Sequence, residues 1–332
     1  TLIDRSALSG RFKLFATPMG QGRCLSLLCG DGSMDAEHYA NFLRQLGHSV
    51  REAGGLYWFN VAPRVYAPFP FEAMLRPAEL ELSRVLGEDG LVVRFGCDPA
   101  DGVPSYRLTV SDANYDLPSL NSKSRNQTRR GLEQCDCGPV DLQTLCEHGV
   151  ELNRATLQRQ QRRVPSNLCT YWTRYFQAAA DCPAARTWGA WHGGKPAAYL
   201  IAFQIGSVDN ICIVRSDAGK LKHYPNNAML FTYIRDSLRR PGVTEVSIGL
   251  QSLLSGMESL DHFKIGMGFE QRPFGQRIEF RRPWSRLLPR ALASTASGVL
   301  RPWSSHEKIG RVSGLLSWYA QQPVIDFTET AH

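Results

Sequence analysis

Residues 223–280 read HYPNNAMLFTYIRDSLRRPGVTEVSIGLQSLLSGMESLDHFKIGMGFEQRPFGQRIEF. Pro225 opens a helix, because a proline at the first helical position gives up no intrahelical hydrogen bond there. Ala228, Met229, Phe231, Thr232 and Ile234 supply its buried side, and Pro241-Gly242 ends it. The β-branched run over residues 243–248 predicts a buried strand. A loop, the compact block Leu260-Asp261-His262-Phe263-Lys264 and a closing strand over residues 276–280 complete the unit.

Immediately upstream, apolar runs at 186–192, 195–205 and 210–214 are separated by Gly193-Gly194 and Gly206-Ser207. That spacing predicts a three-stranded antiparallel meander with tight glycine turns. A strand that precedes a helix in such a layout can splay from its neighbour and expose backbone N–H groups, leaving a gap for an extended amide-like arm or an oxyanion. The segment RSDAGKLKHY at 215–224 lies at the mouth of that gap and brings three cations to a helix start. Val214, Arg215, Gly219, Lys220, Lys222, Asn226 and Asn227 are therefore the candidate residues for holding phosphates or a carboxylate.

Further back, SLNSKSRNQTRRG at 119–131 predicts a basic helix on which Arg125 and Arg129 are one turn apart. Lys123, Arg125 and Arg129 are candidate phosphate contacts, with a solvated face linking two lobes as the alternative. Residues 141–163 read as one long polar helix ending in Arg159, Arg162 and Arg163. Leu168, Tyr171, Trp172, Tyr175 and Phe176 recur at helical spacing as core. In the first 110 residues the pattern alternates. It gives a strand at 26–28 behind the loop Met19-Gly20-Gln21-Gly22, a helix capped by Asp35 that carries Tyr39, Phe42, Leu43, Leu46 and Val50, a strand at 56–61, a helix at 77–86, and strands at 91–95 and 106–110. This is the pattern of a small α/β lobe.

The chain has 332 residues, 43% of them hydrophobic, enough for two ordinary cores. A net charge of +7 suits an anionic partner, and equally suits simple solubility. The nine cysteines are scattered, with no Cys-x-x-Cys pair, and His148 stands too far from Cys135 and Cys137 to complete a ligand set. Free thiols, no metal and a cytoplasmic location are the expectations. No run approaches a membrane span. Beyond residue 282, Arg282, Arg286 and Arg290 recur at four-residue steps among apolar clusters, so the tail reads either as an interfacial helix at the inner membrane face or as a helix packing back on the first lobe.

The succession Tyr224-Pro225-Asn226-Asn227, then Val246-Ser247-Ile248-Gly249, then His262-Phe263-Lys264 followed by Gly266-Met267-Gly268-Phe269, resembles the second-lobe signature of FemABX-like acyltransferases of the GNAT (acyl-CoA N-acyltransferase) superfamily. The basic helix at 119–131 is similar to one that follows a first-lobe strand in that family. The resemblance covers residues 105–282. It implies an α/β (α+β) fold of tandem GNAT-like lobes, each a mixed, mostly antiparallel sheet flanked by helices, with a helical C-terminal tail. On this reading 1–140 is a degenerate first lobe that includes the basic helix 119–134. Residues 141–283 form the second lobe with the acyl-donor site, and 284–332 the tail.

The implied activity is transfer of an acyl group from acyl-CoA to an amine of a small molecule or cell-envelope precursor. A second version draws on aminoacyl-tRNA, and a non-catalytic ligand-binding module is the reading from another class. The family lysine maps onto Lys264, near the reacting carbonyl or a substrate phosphate, with Phe263 beside it on the substrate. Two departures stand out. Gly219 is the single glycine where CoA-binding relatives carry Gly-x-Gly, and Ser247-Ile248-Gly249 replaces Asp-Phe-Gly, so that aspartate's role is absent. In physical terms the reaction needs a neutral amine, a polarised carbonyl and a proton acceptor. Lys264 can stabilise the oxyanion, and His223, Tyr224 and His262 are candidate proton carriers or ligand contacts.

Overall fold

The computed structural model describes residues 32–252, 258–303 and 307–325. The strand expected at 26–28 lies outside them.

The first helix, α1 (Gly32–Gln45), buries Tyr39, Phe42 and Leu43 as its spacing predicts. It stops short of Val50, which begins β1 (Val50–Ala53), paired antiparallel with β2 (Leu56–Ala62) across Gly54-Gly55. β3 (Val65–Phe69) follows, a strand the sequence conceals because Pro68 argues against one. The expected helix at 77–86 breaks into a 3₁₀ turn at Pro77–Glu79 and the short α2 (Leu82–Leu86). Next come β4 (Val92–Cys97), β5 (Val103–Val110) and the basic helix α3 (Ser122–Gln134), whose Asn121 side chain accepts from Ser124 N–H.

The four-residue β6 (Asp136–Pro139) is another strand without a sequence signal. α4 (Leu142–Arg159) and α5 (Leu168–Ala180) pack on each other. The meander is β7 (Ala185–His192), β8 (Lys195–Ile205) and β9 (Val208–Ser216), antiparallel throughout as expected. Then follow α6 (Pro225–Ser237), β10 (Glu245–Leu250), α7 (Glu258–Gly266) and β11 (Glu270–Phe280). The tail forms α8 (Trp284–Leu287), α9 (Arg290–Leu300) and α10 (Glu307–Gln321).

All strands join one sheet in the order β1-β2-β3-β4-β11-β5-β10-β9-β8-β7-β6. The order contains a repeat. In the first half an antiparallel meander (β1, β2, β3) is followed by a parallel neighbour, β4; in the second, β7, β8 and β9 are followed by the parallel β10. Each half is then completed by a strand from the other, since β5 pairs with β10 and β11 with β4, and β5 and β11 pair with each other at the join. This is a tandem, mixed and mostly antiparallel arrangement. The strand expected to close the second lobe thus pairs with two first-lobe strands, and the division at residue 140 does not divide the sheet. Seven successive buried residues, 274–280, suit β11 to a central position covered on both faces.

One face of the second half carries α3, α6 and α7 over Leu108, Leu200 and Val246. The opposite face carries α1, α4 and α5. There the Tyr39 ring lies 5.0 Å from Phe69 of β3 and 4.8 Å from Phe203 of β8, so α1 ties the two halves together. Asp209 of β9 is fully buried and receives Tyr233 and Ser237 hydroxyls and the Arg240 guanidinium at 2.5–2.6 Å, fixing α6 to the sheet. The tail packs on the first half through Ala293, Leu315 and Tyr319 against Val92, Ile278 and Phe280. The Gln322 amide exchanges hydrogen bonds with Ile278 N–H and C=O at 2.9 and 2.8 Å, capping β11 where β5 has ended.

Candidate active site

The parallel strands β9 and β10 are hydrogen-bonded over three residues each, 208–210 with 245–247. Beyond them β9 runs on along β8 to Ser216 while β10 runs along β5 to Leu250, and the two diverge. The gap expected from the sequence is present. Its counterpart in the first half, between β3 and β4, pairs only Val65 and Tyr66 with Val92 and Val93. There the chain plugs the opening itself, with Met74 bridged to Gly96 and Leu75 N–H donating to the Gly96 carbonyl at 2.8 Å. Among the described residues no backbone bond closes the β9–β10 gap in that way.

The start of α6 follows β9. Tyr224 sits in the left-handed region at φ 56°, Pro225 takes the first helical position, and no side chain caps the helix. The first-turn N–H groups of Asn226 and Asn227 are therefore available to an anion. The Asn226 amide donates to Ser216 Oγ at 3.2 Å, while its Oδ1 is buried with no partner among the described residues. Asn227 is committed to packing on the Met267 sulfur. Arg130 lies over the Tyr224 ring, and Gly131 is the residue that lets α3 approach, since a Cβ there would stand 2.7 Å from the Tyr224 carbonyl oxygen.

His223 stacks on His192 at 3.7 Å, and both imidazoles bond to Gln134. Desolvation, then the charges of His192, Lys222 and Lys220, holds His223 below its ordinary value.

The cations predicted for this pocket do not all converge on it. Arg215 turns to the α4 side, donating to Asn153 Oδ1 and the Val214 carbonyl with its guanidinium over Trp172. Lys220 is tied to the Pro196 carbonyl at 2.8 Å, Gly219 N–H is taken by Asp217, and Lys222 is exposed. The basic helix divides similarly. Arg125 is folded back onto the carbonyls of Leu117, Pro118 and Leu120, a loop staple, and Lys123 stands exposed near the end that meets Gly266. Arg129 is exposed near the other end, the one that packs on Tyr224.

Lys264 is largely buried on α7 and donates to Asp261 Oδ1 at 3.3 Å, while Asp261 Oδ2 accepts from the Tyr106 hydroxyl at 2.7 Å. Burial first, then the hydrogen bond and charge of Asp261, pushes the Tyr106 phenol up to about 12. The Tyr106 carbonyl accepts from Gln251 N–H at 2.9 Å, which fixes this cluster at the end of β10. Phe263 packs into the core under α6, and His262 is exposed with Nδ1 on the Glu258 carbonyl, apart from the Lys264 group.

Tyr106 and Asp261 were absent from the sequence-derived set. Asp261 was legible as an acid three residues before Lys264; Tyr106 comes from a strand far away in sequence.

The opposite sheet face holds another group without a sequence signal. Arg94, on the same face as Ile278, donates to Gln276 Oε1 at 2.8 Å and to the Gln251 carbonyl, both neutral acceptors. Burial pushes its guanidinium down to about 10. Gln251 thus joins the Arg94 and Tyr106 groups across the sheet. Among the described residues no cluster suited to a metal ion occurs, seven cysteines are free thiols, and no helix is long and apolar enough to cross a membrane.

No family model and no curated protein matches the sequence. Among solved structures FemX superposes with a TM-score of 0.53 at 11% identity, over 76% of this chain and 93% of FemX. L-PGS from Bacillus licheniformis gives 0.46 at 12% identity over 77% and 92%, and a tandem GNAT protein from the clavulanic acid biosynthesis pathway 0.42 at 12% over 69% and 81%. The chain shares its fold with FemX.

Proposed function

We propose that this FemABX-like GNAT fold serves an N-acyltransferase, moving an acyl group from an acyl-CoA thioester to the amine of a small-molecule or cell-envelope precursor. One observation carries the reading. β9 and β10 part after three paired residues with no backbone bridge across them among the described residues, where the equivalent first-half gap is plugged; the uncapped start of α6 follows β9, and the Lys264–Asp261–Tyr106 cluster stands at the end of β10.

In this reading the donor's phosphates take the α6 N–H groups and its acyl arm lies along the unpaired edge of β9. Attack by the neutral amine places negative charge on the carbonyl oxygen, which the Lys264 ammonium stabilises. The expelled thiolate takes a proton from the Tyr106 hydroxyl, which is kept protonated at neutral pH, and the proton lost by the attacking nitrogen returns to the Tyr106 oxygen, so the amine proton ends on the thiol. Arg94 on the other face suits an acceptor that carries a carboxylate or phosphate.

A second reading, an aminoacyl-tRNA donor, is favoured by one feature. Ser216 Oγ accepts from both Arg159 at the end of α4 and Asn226 at the start of α6, so an arginine stands beside the α6 start. The test is transfer from a panel of acyl-CoAs and of charged tRNAs to amine acceptors, with thermal shift by CoA. CoA-dependent product supports the first reading. tRNA-dependent product, with binding that weakens steeply as salt rises, supports the second. Ligand binding with no transfer from either panel would leave a binding module.

A further inference from the structure

The tail packs on the sheet with one side only. From residue 281 to 306 the sequence holds five arginines and no acidic residue. Within that stretch Trp284, Leu287, Leu292, Val299 and Trp303 are 52–64% exposed. Leu292 and Val299 are seven residues apart on α9 and share a helical stripe, opposite the side on which Ala293 is buried and Ser297 bonds to Ser313 of α10. Trp303 continues the stripe at the next helical interval. Of the arginines, Arg281 is occupied by the Gly87 and Gly90 carbonyls and Arg290 by those of Gln322 and Pro323, whereas Arg282 and Arg301 are exposed.

We propose that residues 282–303 are a docking surface for an anionic lipid bilayer, with the five exposed apolar side chains entering the interface and Arg282 and Arg301 meeting headgroup phosphates. Leucine, valine and tryptophan exposed together form the apolar half of an interfacial element, and tryptophan favours the headgroup level in particular. The exposed Arg282 and Arg301, on a stretch with no acidic residue, add attraction to anionic lipid, and the same charge opposes a second copy of itself seated face to face. Among the described residues no helix is long and apolar enough to cross a membrane, and the proposed contact is a surface one. The surface is separate from the candidate active site and its test does not depend on any catalytic reading.

The experiment is sedimentation of the full chain with phosphatidylcholine vesicles, with and without phosphatidylglycerol, at low and high salt. Association with the phosphatidylglycerol vesicles, weakened by salt, is expected. Leu292→Glu combined with Val299→Glu should lower the partition coefficient by about ten-fold or more, and Arg282→Gln with Arg301→Gln by about ten-fold at low salt. Trp303→Ser is the second apolar variant should the double glutamate melt early by circular dichroism. No sedimentation with anionic vesicles at either salt overturns the proposal. So does equal partition of wild type and variants, or a light-scattering dimer that the same substitutions abolish while vesicles remain unbound.

Discussion

The Lys264 ammonium lies 3.3 Å from the Asp261 carboxylate one turn back along α7, with 12% and 14% of the two side chains exposed. Held this way the lysine is a fixed charge at the end of β10. Lys264→Ala should lower kcat by about a hundred-fold or more, the scale of losing one oxyanion donor. Steady-state rates beside a circular dichroism melt check this; an unchanged kcat in a folded variant rules out the role given to Lys264.

Tyr106 makes a pH statement. Its phenol is raised to about 12 in the fold against about 10 in an unfolded chain. The unfolded state therefore loses the proton first as pH rises. This group's stabilising share is intact below pH of about 10 and is lost as pH climbs through about 12. Urea midpoints across alkaline pH should fall less steeply for Tyr106→Phe than for wild type; parallel slopes would contradict the raised value.

His223 works at the other end of the scale. With its folded value held below the ordinary one, the unfolded chain binds a proton more readily below pH of about 6.5. Stability should drop as the solution is acidified through that window, and His223→Gln should flatten the drop. An imidazole titration followed by NMR gives the folded value directly.

Gly131→Ala should weaken donor binding without touching any donor contact. Its Cβ would press on the Tyr224 carbonyl and so on the left-handed turn that starts α6. Overpacking of this kind costs about 1–3 kcal/mol. Gly138→Ala, with open space around its Cβ, is the control and should stay within about 0.5 kcal/mol.

Arg94→Gln should raise the acceptor KM about ten-fold or more with little change in kcat, since one charge-assisted hydrogen bond is removed from binding rather than from the reacting atoms. A fall in kcat at constant KM would move Arg94 out of acceptor binding.

Much of the second half was legible because its signals are local. The meander announces itself through Gly193-Gly194 and Gly206-Ser207, α6 through Pro225, and α5 through the spacing of Trp172 and Phe176. β3 and β6 were hidden because Pro68 and Pro139 contradict strand formation and their pairing is decided by neighbours. In the candidate site, Lys264 stands out by its sequence surroundings. Tyr106 and Arg94 lie on strands whose place beside β10 and β11 is a matter of topology, and no local pattern encodes it. Arg125 shows the converse: its helical spacing was read correctly, but whether a guanidinium meets a ligand or three backbone carbonyls depends on where the preceding loop runs.

β4 and β5 are joined by the five residues 98–102, yet they do not pair, because β11 occupies the place between them. Until residues 270–280 arrive, the nascent sheet therefore has two bare edges at its centre. Its closure depends on contacts spanning more than 160 positions, between Phe274 and Ser105 for example. Pairing at such long range predicts slow, late closure of the sheet centre, with those two edges bare until it happens. Any fragment that separates the halves inherits that state permanently, so neither half can be excised as an independent module.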